Sequence, residues 1–257
     1  MQIDTYEEGV PCWVDVACPD PVAGRAFYSA LFGWEIPEGP PEAGGYSLAA
    51  LKGRTVGGVG PQMNPMAPPA WTNYVNVSSA DKTAETITKN GGTLLAGPMD
   101  VMEAGRMAVF ADPAGAVLAL WQAGANPGAG LVNELHTWCW SELMTDDPER
   151  AIDFYAAVFG WGATTKGEGA SAYTEWTVDG RSIGGMMPRP PDMPAEIPPY
   201  WLAYFTVADA DDAAKEIERL GGTVVLQPMD VEPGRIAVAQ DVGGATFGVI
   251  RFTEMPD

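Results

Sequence analysis

Apolar and polar residues alternate from Cys12 to Cys18, so successive side chains face opposite sides of a strand. Asp20-Pro21 follows, an N-capping acid and a first-turn proline. Gly24, Phe27, Tyr28, Leu31 and Phe32 then fall at helical spacing, and Gly33 can end the helix. Short strands punctuated by glycine come next, Tyr46 to Leu51 and Thr55 to Val59, with a Pro-rich connector from Pro61 to Pro69. A second strand and helix are predicted at Trp71–Val77 and Asp81–Asn90, and a last strand at Ala116–Gln122. The pattern reads as two βαβββ units.

The whole pattern then repeats. Cys12-Trp13, Asp20-Pro21, Phe27-Tyr28 and Phe32-Gly33-Trp34 recur at constant offset as Cys139-Trp140, Asp147-Pro148, Phe154-Tyr155 and Phe159-Gly160-Trp161. Gly57-Gly58 matches Gly184-Gly185, and Pro98-Met99-Asp100-Val101 matches Pro228-Met229-Asp230-Val231. In the second copy, strands at Tyr200–Val207 and Ala245–Phe252 flank a helix at Asp211–Leu220, after a connector from Pro188 to Pro199. Ala123 to Gly130, rich in Ala, Gly and Pro, leads the chain from one copy to the other. The predicted fold is α+β, four tandem βαβββ units in two domains, residues 1–125 and 135–257, with a linker at 126–134.

The chain has 257 residues, enough for two cores without staples. Its formal charge of -20 works against nucleic acid and anionic lipid, both of which require Lys and Arg, and favours cationic small molecules. No run approaches the ~18 apolar residues of a membrane span, and the N-terminus does not read as a signal peptide, so a cytoplasmic protein is expected. Cys12, Cys18 and Cys139 make no CxxC pair and are expected as reduced, buried thiols. His136 is the only histidine, which leaves little material for histidine-based chemistry.

The Asp-Pro-initiated helix with its Phe-Tyr pair, the Phe-Gly-Trp motif and the turn Asp112-Pro113-Ala114-Gly115 together resemble the vicinal oxygen chelate superfamily. That superfamily holds glyoxalases, extradiol dioxygenases and bleomycin resistance proteins. The resemblance implies that paired units curl around a cup where ligand and, in enzymes, a divalent metal bind. The positions that carry metal ligands in such enzymes hold Trp13, Thr72 and Ala119 in one copy and Trp140, Leu202 and Gly248 in the other. None is a His, Gln or Glu, and Asp15 and Glu142 supply one carboxylate per cup, too few for a divalent ion. No metal and no cofactor are expected.

By the same implied geometry, cup one is lined by Trp13, Asp15, Tyr74, Asn76 and Trp121. Cup two is lined by Trp138, Trp140, Glu142, Tyr204 and Thr206, with His136 nearby. Aromatic plates, one acid and a few polar groups suit a planar ligand, and an amine could pair with the acid. The expected partner is an aromatic small molecule, bound by a monomer or homodimer. Metal-free binding of an aromatic metabolite or antibiotic, with a cationic one included, is the leading function. A lyase, isomerase or hydroxylase-type enzyme using Asp15 or Glu142 as general base is the alternative. A third reading packs the cups solid with their own tryptophans. Met99 and Met229 are read as core or as soft, ligand-facing filler.

Overall fold

Strand β1 (Pro11–Cys18) turns Val14, Val16 and Cys18 into the core and leaves Asp15 and Ala17 half-buried on the opposite face. Helix α1 (Pro21–Phe32) starts where Asp20 accepts from the Val22 and Ala23 amides at 2.9 and 3.2 Å. It ends at Gly33, whose φ of 71° is left-handed. This computed structural model describes residues 1–190, 193–194 and 196–253. Residues 191, 192 and 195 of the second Pro-rich connector lie outside the described residues.

The first copy continues with β2 (Ser47–Leu51), β3 (Arg54–Pro61), β4 (Ala70–Asn76), α2 (Ala80–Lys89), β5 (Thr93–Val101), β6 (Gly105–Ala111) and β7 (Val117–Ala123). Its seven strands form one sheet in the order β2-β3-β1-β4-β7-β6-β5. The second copy has β8 (Trp138–Thr145), α3 (Pro148–Phe159), β9 (Gly162–Lys166), β10 (Tyr173–Val178), β11 (Arg181–Pro188) and β12 (Tyr200–Thr206). It closes with α4 (Ala210–Arg219), β13 (Thr223–Val231), β14 (Gly234–Gln240) and β15 (Thr246–Phe252). Its eight strands run β13-β14-β15-β12-β8-β11-β10-β9.

The expected βαβββ pattern is complete in three units and not in the first. Where β9 pairs with β10 through Gly162 and Thr177, the first copy makes only an isolated bridge between Glu35 and Ala50. Pro37, Pro40 and Pro41 follow that bridge, and proline has no amide hydrogen with which to continue a ladder. The same stretch of β9 has no proline, and there the strand forms.

The two sheets pack back to back through their helix-bearing faces. Trp71 of β4 lies with its ring centroid 4.8 Å from that of Phe205 of β12, and the Ser141 hydroxyl donates to Asn73 Oδ1 at 2.6 Å. Helix α1 lies against α4 and α2 against α3, so each copy covers the other's inner face. The cups therefore open on opposite sides of the molecule.

The junction is tied symmetrically. Trp34 Nε1 donates to the His136 carbonyl at 2.8 Å, and Trp161 Nε1 donates to the Gly9 carbonyl at 2.7 Å. Gly9 and His136 both sit at positive φ, 76° and 66°. Residues of the expected linker are strapped down: the Ala129 amide donates to the Cys12 carbonyl and the Gly130 amide to the Thr55 carbonyl, both at 2.8 Å. Ala129, Leu131 and Val132 are buried.

Candidate functional site

Three adjacent strands build the floor of cup one. In register, Asp15 of β1 lies beside Gly58 of β3 and Thr72 of β4, and Trp13 lies beside Tyr74. Tyr46, just before β2, folds its ring over Gly58 and Gly60, where a Cβ on either glycine would overlap it. The Tyr46 and Tyr74 hydroxyls both donate to Asp15 Oδ2 at 2.9 Å, and Trp13 Nε1 donates to the Tyr46 hydroxyl at 3.0 Å. Burial pushes the Asp15 carboxyl up to about 6, against the opposing hydrogen bonds from Tyr74 and Tyr46. Asp15 Oδ1 has no hydrogen-bond donor among the described residues.

Cup two repeats the arrangement. Glu142 lies beside Gly185 of β11 and Leu202 of β12, and Trp140 beside Tyr204. The Tyr204 hydroxyl donates to Glu142 Oε1 at 3.2 Å, and Trp140 Nε1 donates to the Tyr173 hydroxyl at 2.9 Å. Tyr173 lies over Gly185 as Tyr46 lies over Gly58. Burial raises the Glu142 carboxyl above the usual carboxylate range, while the hydroxyls of Tyr173 and Tyr204 draw it back. Burial also raises all four of these tyrosines, with the neighbouring acid adding to the effect, so their hydroxyls stay protonated as donors.

Of the residues expected to line the cups, Trp13, Asp15 and Tyr74 converge in one, and Trp140, Glu142 and Tyr204 in the other. Trp121 supports Tyr74 edge-on, at 6.4 Å between centroids and 87° between planes, and donates to the Asn126 carbonyl. Asn76 spends its amide hydrogens on the Tyr6 and Glu7 carbonyls, at 2.9 and 3.1 Å, which fastens the N-terminal segment. Thr206 is buried, with no partner for its hydroxyl among the described residues.

Trp138 is a correction. A bulge in the β8–β12 ladder pairs Trp140 with Tyr204 but Trp138 with Phe205, so the alternation changes phase at Cys139. Trp138 joins the inner core, and its Nε1 donates to Ser141 Oγ at 3.2 Å. The His136 ring packs 6.1 Å from Phe32 at the junction of the copies, a structural place rather than one on the wall of cup two. Burial lowers its pKa. Met99 and Met229 are each 44% exposed and so are not core. The three cysteines are free and buried, as expected.

Tyr46 and Tyr173 were missed, because Tyr46 stands just before β2 and Tyr173 opens β10, and each looks locally like an ordinary first strand residue. The offset relating Cys12 to Cys139 also relates Tyr46 to Tyr173, and Gly58 beneath the first repeats as Gly185 beneath the second. Those two patterns together mark an aromatic ring laid over a bare strand.

The donor set does not fit a divalent ion. Each floor supplies one carboxylate, already engaged by tyrosine hydroxyls, and protonated phenols are poor ligands. Among the described residues no three His, Cys, Asp or Glu side chains converge. Surface cavities of about 450 and 180 Å³ lie elsewhere, beside α2 and beside the start of α1. Tyrosines floor both cups, over an acid that is half-buried in the first and buried in the second. No helix among the described residues is long and apolar enough to cross a membrane.

Comparison with known proteins agrees with this architecture. Residues 13–121 match the family model described as a glyoxalase-like domain, and residues 136–249 match that of the glyoxalase/bleomycin resistance protein/dioxygenase superfamily. The chain is 39% identical to CFP32 of Mycobacterium tuberculosis, a candidate glyoxylase by name, over 96% of each chain. It is 34% identical to the anthracycline biosynthesis protein DnrV of Streptomyces peucetius, over 97% of this chain and 95% of that one. In fold it is similar to the Mn(II)-bound glyoxalase of Novosphingobium aromaticivorans, with a TM-score of 0.66 at 13% identity, covering 97% of this chain and 84% of that one. The 2,3-dioxygenase LapB of Pseudomonas sp. KL28 gives a TM-score of 0.65 at 13% identity, covering 98% and 96%. The chain belongs to the glyoxalase/bleomycin resistance protein/dioxygenase superfamily, as two glyoxalase-like domains in tandem.

Proposed function

We propose that the protein binds a planar aromatic small molecule in a cup, without a metal ion, and returns it chemically unchanged. The observation that carries this reading is the half-buried Asp15, with one carboxylate oxygen fixed by two tyrosine hydroxyls and the other left for a ligand donor. Around it the rim offers apolar surface, with Leu48 45% and Val117 41% exposed. A flat ring system can lie on such a wall while one donor reaches the acid. The similarity to an anthracycline biosynthesis protein supports an aromatic polyketide as the kind of ligand. Titration with a panel of anthracyclines, flavones and acridines should quench tryptophan fluorescence saturably, and mass spectrometry should recover each ligand intact. No saturable quenching across the panel would sink the proposal.

One observation favours a second reading, a metal-independent lyase or isomerase. A carboxyl raised to about 6 and held by two hydroxyls is suited to taking a proton from a substrate near neutral pH. In that case turnover survives chelator and is lost when Asp15→Asn and Glu142→Gln are combined. An unaltered ligand after prolonged incubation with the protein counts against it.

A further inference from the structure

The two cups share their acid, tyrosines and tryptophan, but the row next to the acid differs. In cup one that row is Gly60, Ala17 and Ala70, aligned across β3, β1 and β4. In cup two the equivalent row is Met187, Met144 and Tyr200. Within the acid's own row, Thr72 in cup one is replaced by Leu202 in cup two. Gly60 lies under the Tyr46 ring, so the space beside Asp15 is left by Ala17, Ala70 and Thr72, where Met144, Tyr200 and Leu202 stand beside Glu142. Around the acids exposure follows suit: Asp15, Ala17 and Thr72 are half-buried, while Glu142 is 7% exposed and Leu202 1%. At the tryptophans the order reverses, with Trp13 buried and Trp140 half-buried. In cup two Leu202, Tyr204, Val238 and Ile250 close into a cluster of their own with Trp140 and Tyr200.

The rims differ in the same sense. Leu48 stands opposite Gly58, and in the same register Glu175 stands opposite Gly185. At the start of the last strand, Val117 in cup one corresponds to Thr246 in cup two. Apolar rim, small floor and an open acid occur together only in the first cup.

We infer that cup one alone takes a ligand, that this ligand is a planar aromatic cation whose N–H donates to Asp15 Oδ1, and that cup two is a filled copy. This rests on the binding reading above. A cation is favoured because the three floor rows of cup one carry a carboxylate and no lysine or arginine, in a chain of net charge -20. A charged donor onto a half-buried carboxylate is stronger than a neutral one, and the apolar rim desolvates it further.

The test uses the full chain and proflavine, a planar aromatic cation, followed by calorimetry and tryptophan quenching. One proflavine per chain is expected. Asp15→Asn should weaken binding by about 10- to 100-fold, the range for a hydrogen bond to a charged group. The pair Ala17→Met and Thr72→Leu, which gives cup one the side chains of cup two, should abolish it. Thermal unfolding of both variants checks that they fold, and Asp15→Asn keeps the test alive if the filled variant does not. Two proflavines per chain, or one that still binds after cup one is filled, overturns the assignment to cup one and leaves the binding reading standing. Binding of neutral flavone in cup one without proflavine overturns the cation. No saturable binding of either compound overturns the binding reading itself.

Discussion

The Tyr28 hydroxyl of the first domain donates to Asp241 Oδ2 of the second at 2.8 Å, in the buried space between the sheets. Its mirror image is Tyr155 donating to Asp112 Oδ2 at 3.0 Å. Trp71 and Trp201 each donate an indole N–H to the tyrosine hydroxyl of their own domain, both at 2.9 Å. Asp241 Oδ1 meanwhile holds the Gly243 and Ala245 amides of its turn, at 2.8 and 2.9 Å. One acid thus shapes a turn in its own domain and anchors a helix of the other. Tyr28→Phe leaves both Asp241 Oδ2 and the Trp71 N–H without a buried partner. The expected loss is about 1–3 kcal/mol, or roughly 2–4 °C in Tm for each kcal/mol in a chain of this size. Thermal unfolding measures it, and an unchanged Tm would show that the relay does not hold the domains together.

Asp15 gives a pH dependence with a definite sign. Its carboxyl lies near 6 in the folded chain against 3.8 for a free aspartate, so between those values the folded state binds more protons than the unfolded one. Stability from this group is therefore fully present below about pH 4 and is lost as pH rises through about 6. Glu142 and Asp112, also raised by burial, act in the same direction. Asp15→Asn should unfold later than the wild type at pH 7, by on the order of 1–3 kcal/mol, with the gap closing towards pH 4. Denaturant titrations at the two pH values provide the comparison, and a gap that does not narrow on acidification contradicts it.

Gly58 tests how Tyr46 reaches the acid. A methyl group there would overlap the Tyr46 hydroxyl and ring, and the side chain can yield only by swinging off the strand. Gly58→Ala should therefore break the Trp13–Tyr46–Asp15 chain while leaving the Tyr74 bond in place. Losing a donor that lowers Asp15 should raise its pKa further above about 6. Carbon-13 titration of the Asp15 carboxyl reads the shift, and Tyr46→Phe should move it the same way. If neither variant moves the midpoint, Tyr46 does not control the acid.

Much of this was legible in the chain because a duplication states each structural requirement twice. The helix stripes, the paired glycines and the acid two residues after each tryptophan all stand where alternation and periodicity place them. Trp138 was misplaced because alternation cannot anticipate the extra residue at Cys139. The missing strand of the first unit was written in Pro37, Pro40 and Pro41, and the repeat concealed it by suggesting that all four units were alike. The Tyr28–Asp241 contact was hidden for another reason. Tyr28 reads as one more apolar stripe residue and Asp241 as a turn former, and their meeting depends on how two domains dock.

The last prediction concerns metal. Among the solved structures similar in fold is an Mn(II)-bound glyoxalase. In this chain the positions that the family resemblance marks for metal ligands hold Trp13, Thr72 and Ala119 in one cup and Trp140, Leu202 and Gly248 in the other. A folded-state metal site at 100 times its Kd would stabilise the chain by about 2.7 kcal/mol, which is several degrees of Tm at this length. One carboxylate per cup, shared with tyrosines, gives a divalent ion no such advantage over water. Millimolar Mn²⁺ or Zn²⁺ should leave the Tm within about 1 °C of that measured in chelator. A larger rise that disappears in Asp15→Asn or Glu142→Gln would place a metal in that cup and return the chain to metal-assisted chemistry.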